Sequence, residues 1–168
     1  MKTILSEKIA RIIKNKKRLE KTLEIKITNR GKEVTIQGEP ENEYIAEKVI
    51  DALNFGFPYS AAMTIKTEET TFEIINIKDY TKRKDLESSR ARIIGKAGKT
   101  LSTLSQLSEG FLELKDNEVG VIGPPENIPN VTKAIISIIK GSKQSNVYAY
   151  LERNKPLPAI DLGLREKK

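Results

Sequence analysis

Two glycines flank a lysine and an alanine in Ile93-Ile94-Gly95-Lys96-Ala97-Gly98-Lys99-Thr100-Leu101-Ser102-Thr103-Leu104. These residue types at this spacing suit the holding of a nucleic-acid backbone. A sugar-phosphate chain can approach a peptide backbone closely only where no Cβ intervenes, and Gly95 and Gly98 each remove one. Leu101 and Leu104 predict a helix that starts at Gly98, whose unpaired N–H groups and dipole favour a phosphate. Lys96 and Lys99 add charge beside it. A Gly-x-x-Gly loop between two helices clamps about four nucleotides.

Gly98-Lys99-Thr100 also matches the end of the nucleotide-binding loop G-x-x-x-x-G-K-[ST]. That motif requires a first glycine where this chain has Ile93, and a strand where Leu86–Ile94 is charged and reads as helix. A nucleotide-hydrolysing enzyme is therefore disfavoured. A plain helix–turn–helix link that uses glycine for geometry is the structural alternative. A fold that binds protein through its basic faces is the functional one.

The rest of the composition narrows the chemistry. There is no cysteine and no histidine, which removes disulfides, Cys/His zinc sites, thiol nucleophiles and histidine acid–base catalysis. Catalysis would rest on carboxylates, lysines or a carboxylate-bound metal, so the expectation is a non-catalytic protein with no cofactor. No apolar run reaches membrane-spanning length, and Met1–Glu7 lacks the apolar core of a secretory signal. A cytoplasmic, monomeric protein without a membrane partner is expected.

The net charge is +7, which favours anionic partners. The charge is segregated twice. Lys8–Lys32 holds ten Lys/Arg against Glu20 and Glu24, and Lys82–Lys99 holds seven against Asp85 and Glu87. Between them, Glu39–Asp51 holds five acids and only Lys48.

The elements that must position the loop repeat along the chain. Ala10-Arg11-Ile12-Ile13 returns as Ala91-Arg92-Ile93-Ile94, and Val34–Asn42 returns as Val119–Asn127, in the same order. Two homologous modules are read from this, joined near Ile65–Thr71. In the second, Thr71–Lys78 reads as a strand and a basic helix ends at Ile93-Ile94. A helix carrying Leu101, Leu104 and Leu107 follows the loop. Phe111–Leu114 and Val119–Ile122 are strands around a turn, and Val131, Ala134, Ile135, Ile138 and Ile139 mark an amphipathic helix. The first module reads alike: a short strand in Met1–Ser6, helices flanking Lys14–Lys17, a hairpin of Leu23–Ile27 and Glu33–Ile36, and a helix carrying Ile45, Val49, Ala52 and Leu53. A coda of loop and helix follows each module, at Phe55–Met63 and Gly141–Arg153. Tyr59 and Tyr148 are expected to pack the modules together.

The second loop resembles the KH signature, and the first module carries Lys14 and Lys17 where that signature has glycines. The predicted fold is α+β, with two tandem type I KH domains of order βααββα, the first with a degenerate loop. The expected units are 1–67, 68–156 and a C-terminal tail, 157–168. Lys14, Lys16, Lys17 and Arg18 are candidates for a secondary RNA contact.

With Ala52–Phe57, Ile75–Tyr80, Arg92–Thr100, Ile139–Ser142 and Val147–Arg153 in this order, the chain resembles the archaeal two-KH family of small-subunit ribosome biogenesis, related to the eukaryotic partner-of-Nob (Dim-two-like) proteins. The resemblance covers nearly the whole chain. It implies binding near the 3′ end of small-subunit ribosomal RNA, influence on the endonuclease that matures that end, and contact with the α subunit of translation initiation factor two. By position it implies that Gly95, Lys96, Ala97 and Gly98 grip RNA, supported by Arg90, Arg92, Lys99 and Thr100. The segment Gly141–Asn146 joins them as a further candidate, through Lys143 and Asn146. Bases are expected over Ile93, Ile94 and the strand Phe111–Leu114.

Overall fold

A computed structural model describes residues 1–84 and 86–155; the expected tail, 157–168, lies outside the described residues. The chain forms two three-stranded antiparallel sheets, each backed by helices, a mixed α/β fold that contains a KH domain.

The first half runs β1 (Lys2–Leu5), α1 (Ile9–Leu23), β2 (Ile25–Arg30), β3 (Glu33–Gly38), α2 (Pro40–Phe55) and α3 (Tyr59–Thr67). β3 lies between β1 and β2, with Ile27 opposite Ile36. Alternation places Ile25, Ile27, Val34 and Ile36 on the inner face, where they meet the buried stripes of α1 and α2.

One expectation fails here. The chain does not break at Lys14–Lys17. α1 is continuous and buries Ile12, Asn15, Leu19 and Leu23 along one stripe. The reason is local: the segment has no glycine or proline, and lysine and arginine are good helix formers. Asn15, a weaker one, is held by donating its Nδ2–H to Arg11 O at 2.8 Å and accepting from Arg18. The helix stops only at Glu24, in the left-handed conformation. The first half is thus βαββα rather than βααββα, and the expected degenerate loop is helix.

The second half runs β4 (Thr71–Asn76), α4 (Glu87–Ile94), α5 (Lys99–Ser108), β5 (Phe111–Lys115), β6 (Glu118–Gly123), α6 (Ile128–Ile139) and α7 (Gln144–Arg153). β6 is central, between β4 and β5. Ile75, Leu112, Val119 and Val121 face a core completed by Ile93, Leu104, Val131, Ile135, Ile138 and Val147.

The repeat has a structural meaning. In the first half, the guanidinium of Arg11 donates to Gly56 O and Phe57 O, both at 2.8 Å. In the second, Arg92 donates to Ile138 O at 2.6 Å and to Ser142 O. Each repeated arginine holds the carbonyls where the closing helix ends, and the following residue, Ile12 or Ile93, fills the core. Gly56 and Gly141 both turn the chain there with positive φ.

The halves are packed together through the outer face of the second sheet. Phe72 of β4 meets Phe55 and Phe57 in an aromatic triad with centroids 5.8 Å apart. Ile122 of β6 joins the first core. Gly120 makes this possible, since a Cβ there would lie 2.7 Å from the Phe55 ring and 2.9 Å from the Phe57 ring. Among the described residues, no helix is long and apolar enough to cross a membrane.

Candidate nucleic-acid interface

α4 ends at Ile94, and Gly95 N–H caps it on Ala91 O at 2.8 Å. Gly95 (φ 77°), Ala97 (φ 54°) and Gly98 (φ 74°) all take positive φ before α5 begins. Ala97 holds this conformation with a side chain, which costs about 1–2 kcal/mol. The loop closes on itself through Gly98 N–H to Gly95 O at 3.2 Å.

The two glycines do different work. A Cβ on Gly95 would stand 2.0 Å from Thr100 Oγ1, so this glycine lets the loop fold against α5. A Cβ on Gly98 would meet nothing within 4 Å. Gly98 is therefore the point at which a ligand backbone can approach.

Beside the loop lies a concavity of about 720 Å³. Lys96, Lys99 and Thr103 line one side, and Gly141, Lys143, Gln144, Ser145 and Tyr148 the other. Two helices start at its rim. α5 follows Gly98 and α7 follows Lys143, and neither has a side-chain cap. Lys99 N–H is already spent on Lys96 O, so the start of α5 offers an anion its dipole rather than that group, and three lysines add to the attraction. Gln144 links the two walls, donating from Nε2 to Arg92 O and Thr100 Oγ1, each at 3.4 Å.

The expected site residues divide into groups. Lys96, Ala97, Lys99 and Lys143 are exposed, and Gly98 is partly so. Arg92 and Thr100 line the concavity but are already engaged: Arg92 holds the end of α6, and Thr100 is buried against Gly95. Ile93 is fully buried, so it packs the core and presents nothing to a ligand, while Ile94 keeps part of its surface. Arg90 is half-buried, and its Nε has no hydrogen-bond partner among the described residues. Asn146 is exposed on α7, next to Ser145, but is not among the residues that line the concavity. Leu112 also lies in the core, and Phe111 and Glu113 point to the opposite face of β5. The apolar floor expected from Ile93 and Phe111–Leu114 is thus mostly closed. Sequence reasoning missed Thr103; Gln144 and Ser145 lay within the candidate segment Gly141–Asn146 without being singled out, and Tyr148 was read chiefly as packing. The place of Gln144, Ser145 and Tyr148 in the coda after the closing helix is their signal, whereas Thr103 lies one turn into α5.

Lys14, Lys17 and Arg18 are exposed on α1 and Lys16 half-buried; none of the four lines this concavity. On β5, burial pushes the Glu113 carboxyl above its ordinary value, opposed by Arg11 and Lys8. The start of α1 therefore sits against the outer face of the second sheet. No group of acidic side chains that could hold a metal ion occurs among the described residues.

The family profile for the second KH domain of PNO1, described as a eukaryotic-type, type I KH domain, matches residues 71–156. A KH domain-containing protein of Methanocaldococcus jannaschii is 26% identical over 147 residues, 83% of this chain and 65% of that protein. The RNA-binding protein pno1 of Drosophila pseudoobscura is 28% identical over 137 residues, 77% of this chain and 58% of that protein. The chain thus spans 58 to 65% of the length of these curated relatives. Among solved structures, Dim2p of Pyrococcus horikoshii superposes with a TM-score of 0.82 at 30% identity, covering 90% of this chain and 98% of that one. The same organism's Dim2p in complex with a/eIF2alpha and rRNA gives 0.80 at 30% identity, covering 90% and 92%.

Proposed function

Because this chain belongs to the PNO1-type family of KH proteins, we propose that it is a non-catalytic RNA-binding protein of ribosomal RNA processing, gripping single-stranded RNA at the concavity beside Gly95–Gly98. The observation that carries this is the convergence of two uncapped helix starts, α5 and α7, with Lys96, Lys99 and Lys143 around the open face of Gly98. One phosphate sits over Gly98 at the start of α5, and a second lies toward Lys143 at the start of α7. Arg92, Thr100 and Gln144 hold these two sites in register. Ile94 and Tyr148 offer the nearest surfaces to bases. Aromatic residues are 5% of the chain, so affinity rests on phosphates more than on stacking.

The two halves are read as tandem KH units, 1–67 and 68–156, of which only the second has a gripping loop. The related P. horikoshii protein forms a complex with a/eIF2alpha and rRNA. That likeness supports rRNA and the α subunit of initiation factor two as partners; the 3′ region of small-subunit rRNA and the 3′-end endonuclease follow from the family resemblance alone.

Fluorescence anisotropy with a labelled single-stranded rRNA 3′-end oligonucleotide tests the site. Wild type binds with a log–log salt slope of about −0.7 per phosphate neutralised, and Gly98→Asp loses most of the affinity. Unchanged binding by Gly98→Asp would overturn this reading.

A further inference from the structure

A second concave surface lies away from the loop, along the open edge of β4. β6 covers one side of this strand, and the other side has no neighbour in its sheet. Alternate residues of β4 spend their N–H and C=O groups on β6, and the rest turn theirs outward. Among the described residues no backbone hydrogen bond reaches that outer edge. Two adjoining concavities of about 450 and 460 Å³ follow it, and Lys48, Phe72 and Glu73 line both. Successive side chains of a strand point to opposite faces. A surface that touches Thr71, Phe72 and Glu73 in succession, and then Ile74, therefore runs beside the strand rather than over one face of it. α2 forms the opposite wall through Tyr44, Ile45 and Asp51.

The groove joins apolar surface to carboxylates. Tyr44 and Ile74 are among the large hydrophobic side chains that the protein leaves exposed, at 57% and 47%. Glu69 stands at one end, Glu73 in the middle, and Asp51 and Glu118 at the other end. None of these four acids forms an ion pair among the described residues. Of the three lysines that line the groove, Lys115 is shared with Glu7 at 3.8 Å. Lys48 lies over the Tyr44 ring, 5.6 Å from its centroid. Carboxylates thus outnumber free ammonium groups here, in a chain whose net charge is +7. Asp51 closes the acidic run Glu39–Asp51, which the loop site does not use.

We propose that this groove docks an extended, basic segment of a partner protein, which adds to the second sheet as a fourth strand beside β4. Charge complementarity selects the occupant: the unpaired carboxylates repel a phosphate backbone and attract lysine or arginine. The open edge selects its conformation. Backbone pairing along such an edge gives affinity, and pockets for alternate side chains give selectivity. β4 has six residues, about 20 Å of edge. It contains neither proline nor lysine to block pairing. Apolar side chains of the docked segment cover Tyr44 and Ile74, and its cations meet Glu69, Glu73 and the Asp51–Glu118 end.

Two capped, dye-labelled peptides of equal charge test this against the full chain: Lys-Val-Lys-Val-Lys-Val-Lys, and the same peptide with proline in place of the central valine. Wild type should bind the first in fluorescence anisotropy and the second about tenfold more weakly, because proline removes a ladder hydrogen bond and disfavours the added strand. The double variant Glu69→Gln, Glu73→Gln should bind the first peptide about fivefold more weakly, the scale of two exposed ion pairs. Both glutamates are exposed, so this variant should keep the wild-type unfolding temperature and the wild-type affinity for the rRNA oligonucleotide. With the first peptide saturating, amide hydrogen exchange should slow at the outward N–H groups of β4 and stay unchanged on the open edges of β1, β2 and β5. Equal affinity for the two peptides overturns the proposal, because charge alone would then suffice. Undiminished binding by the double variant, protection on another strand, or no binding by wild type overturns it as well. A double variant that loses RNA affinity also overturns it, since the groove would then belong to the RNA site.

Discussion

Gly95 and Thr100 are packed so closely that a methyl group on Gly95 would stand 2.0 Å from Thr100 Oγ1 and 2.7 Å from Thr100 N. The first glycine of the loop therefore serves the packing of the protein, and the second leaves its Cβ position open. Gly95 lets α5 fold back on the end of α4, which buries Thr100 and brings Gln144 of α7 within reach. Gly98 stays open. This division yields two different outcomes for two glycines that look equivalent in sequence.

Gly95→Ala should destabilise the second half by at least ~2 kcal/mol, because the added carbon meets backbone as well as side chain at a positive φ. RNA affinity should fall with it. Urea unfolding and anisotropy on the same variant would check this. A stable variant with wild-type affinity would show that the close approach to Thr100 is not required.

Gly98→Ala should behave differently. Space is open at this position, so only the φ of 74° opposes a side chain, at about 1 kcal/mol. Affinity for single-stranded RNA should fall further than stability does. Thermal unfolding compared with the RNA dissociation constant separates the two effects.

Arg11→Ala and Arg92→Ala should each cost about 2 kcal/mol, the scale of losing a charged donor from partly buried carbonyls. Only Arg92→Ala should weaken the grip on single-stranded RNA. It frees Ser142 and with it the turn that starts α7, whereas Arg11 holds Gly56 and Phe57 in the other half. The pair can be read by unfolding and binding side by side.

Gly120→Ala should strain the contact between the halves by about 1–3 kcal/mol, since the new carbon falls within 3 Å of two rings. Phe57→Ala removes a fully buried ring and should cost about 3–5 kcal/mol. Either change should shift one common unfolding transition. Two separate transitions in the wild-type protein would contradict the shared aromatic core.

Asp51 sets a pH dependence. Burial, reinforced by Glu47 and opposed by Lys48, raises its carboxyl above the ordinary 3.8. The folded state therefore holds this proton more tightly than the unfolded chain does. Its contribution to stability is greatest below 3.8 and is lost as pH rises through the raised folded value. Asp51→Asn should thus raise the urea midpoint at neutral pH and leave it unchanged well below that range.

The sequence by itself determined much of this molecule. The period of the apolar residues set the strands and helices of the second half, and Gly95–Gly98 marked the break between α4 and α5, because local backbone preference and burial agree there. It also contained the repeat of Ala10–Ile13 in Ala91–Ile94, but not the purpose of the repeat. That Arg92 is spent on Ile138 and Ser142, that Ile93 is core, and that Gln144 bridges two helices are consequences of side chains meeting across distant segments. The run Lys14–Lys17 was legible as basic and its local propensity favours helix, but which side of that helix faces the sheet was set by the stripe from Ile12 to Leu23. Only the tertiary structure could decide these points, because burial and hydrogen-bond partners depend on which faces the chain brings together, and local sequence fixes only which faces it offers.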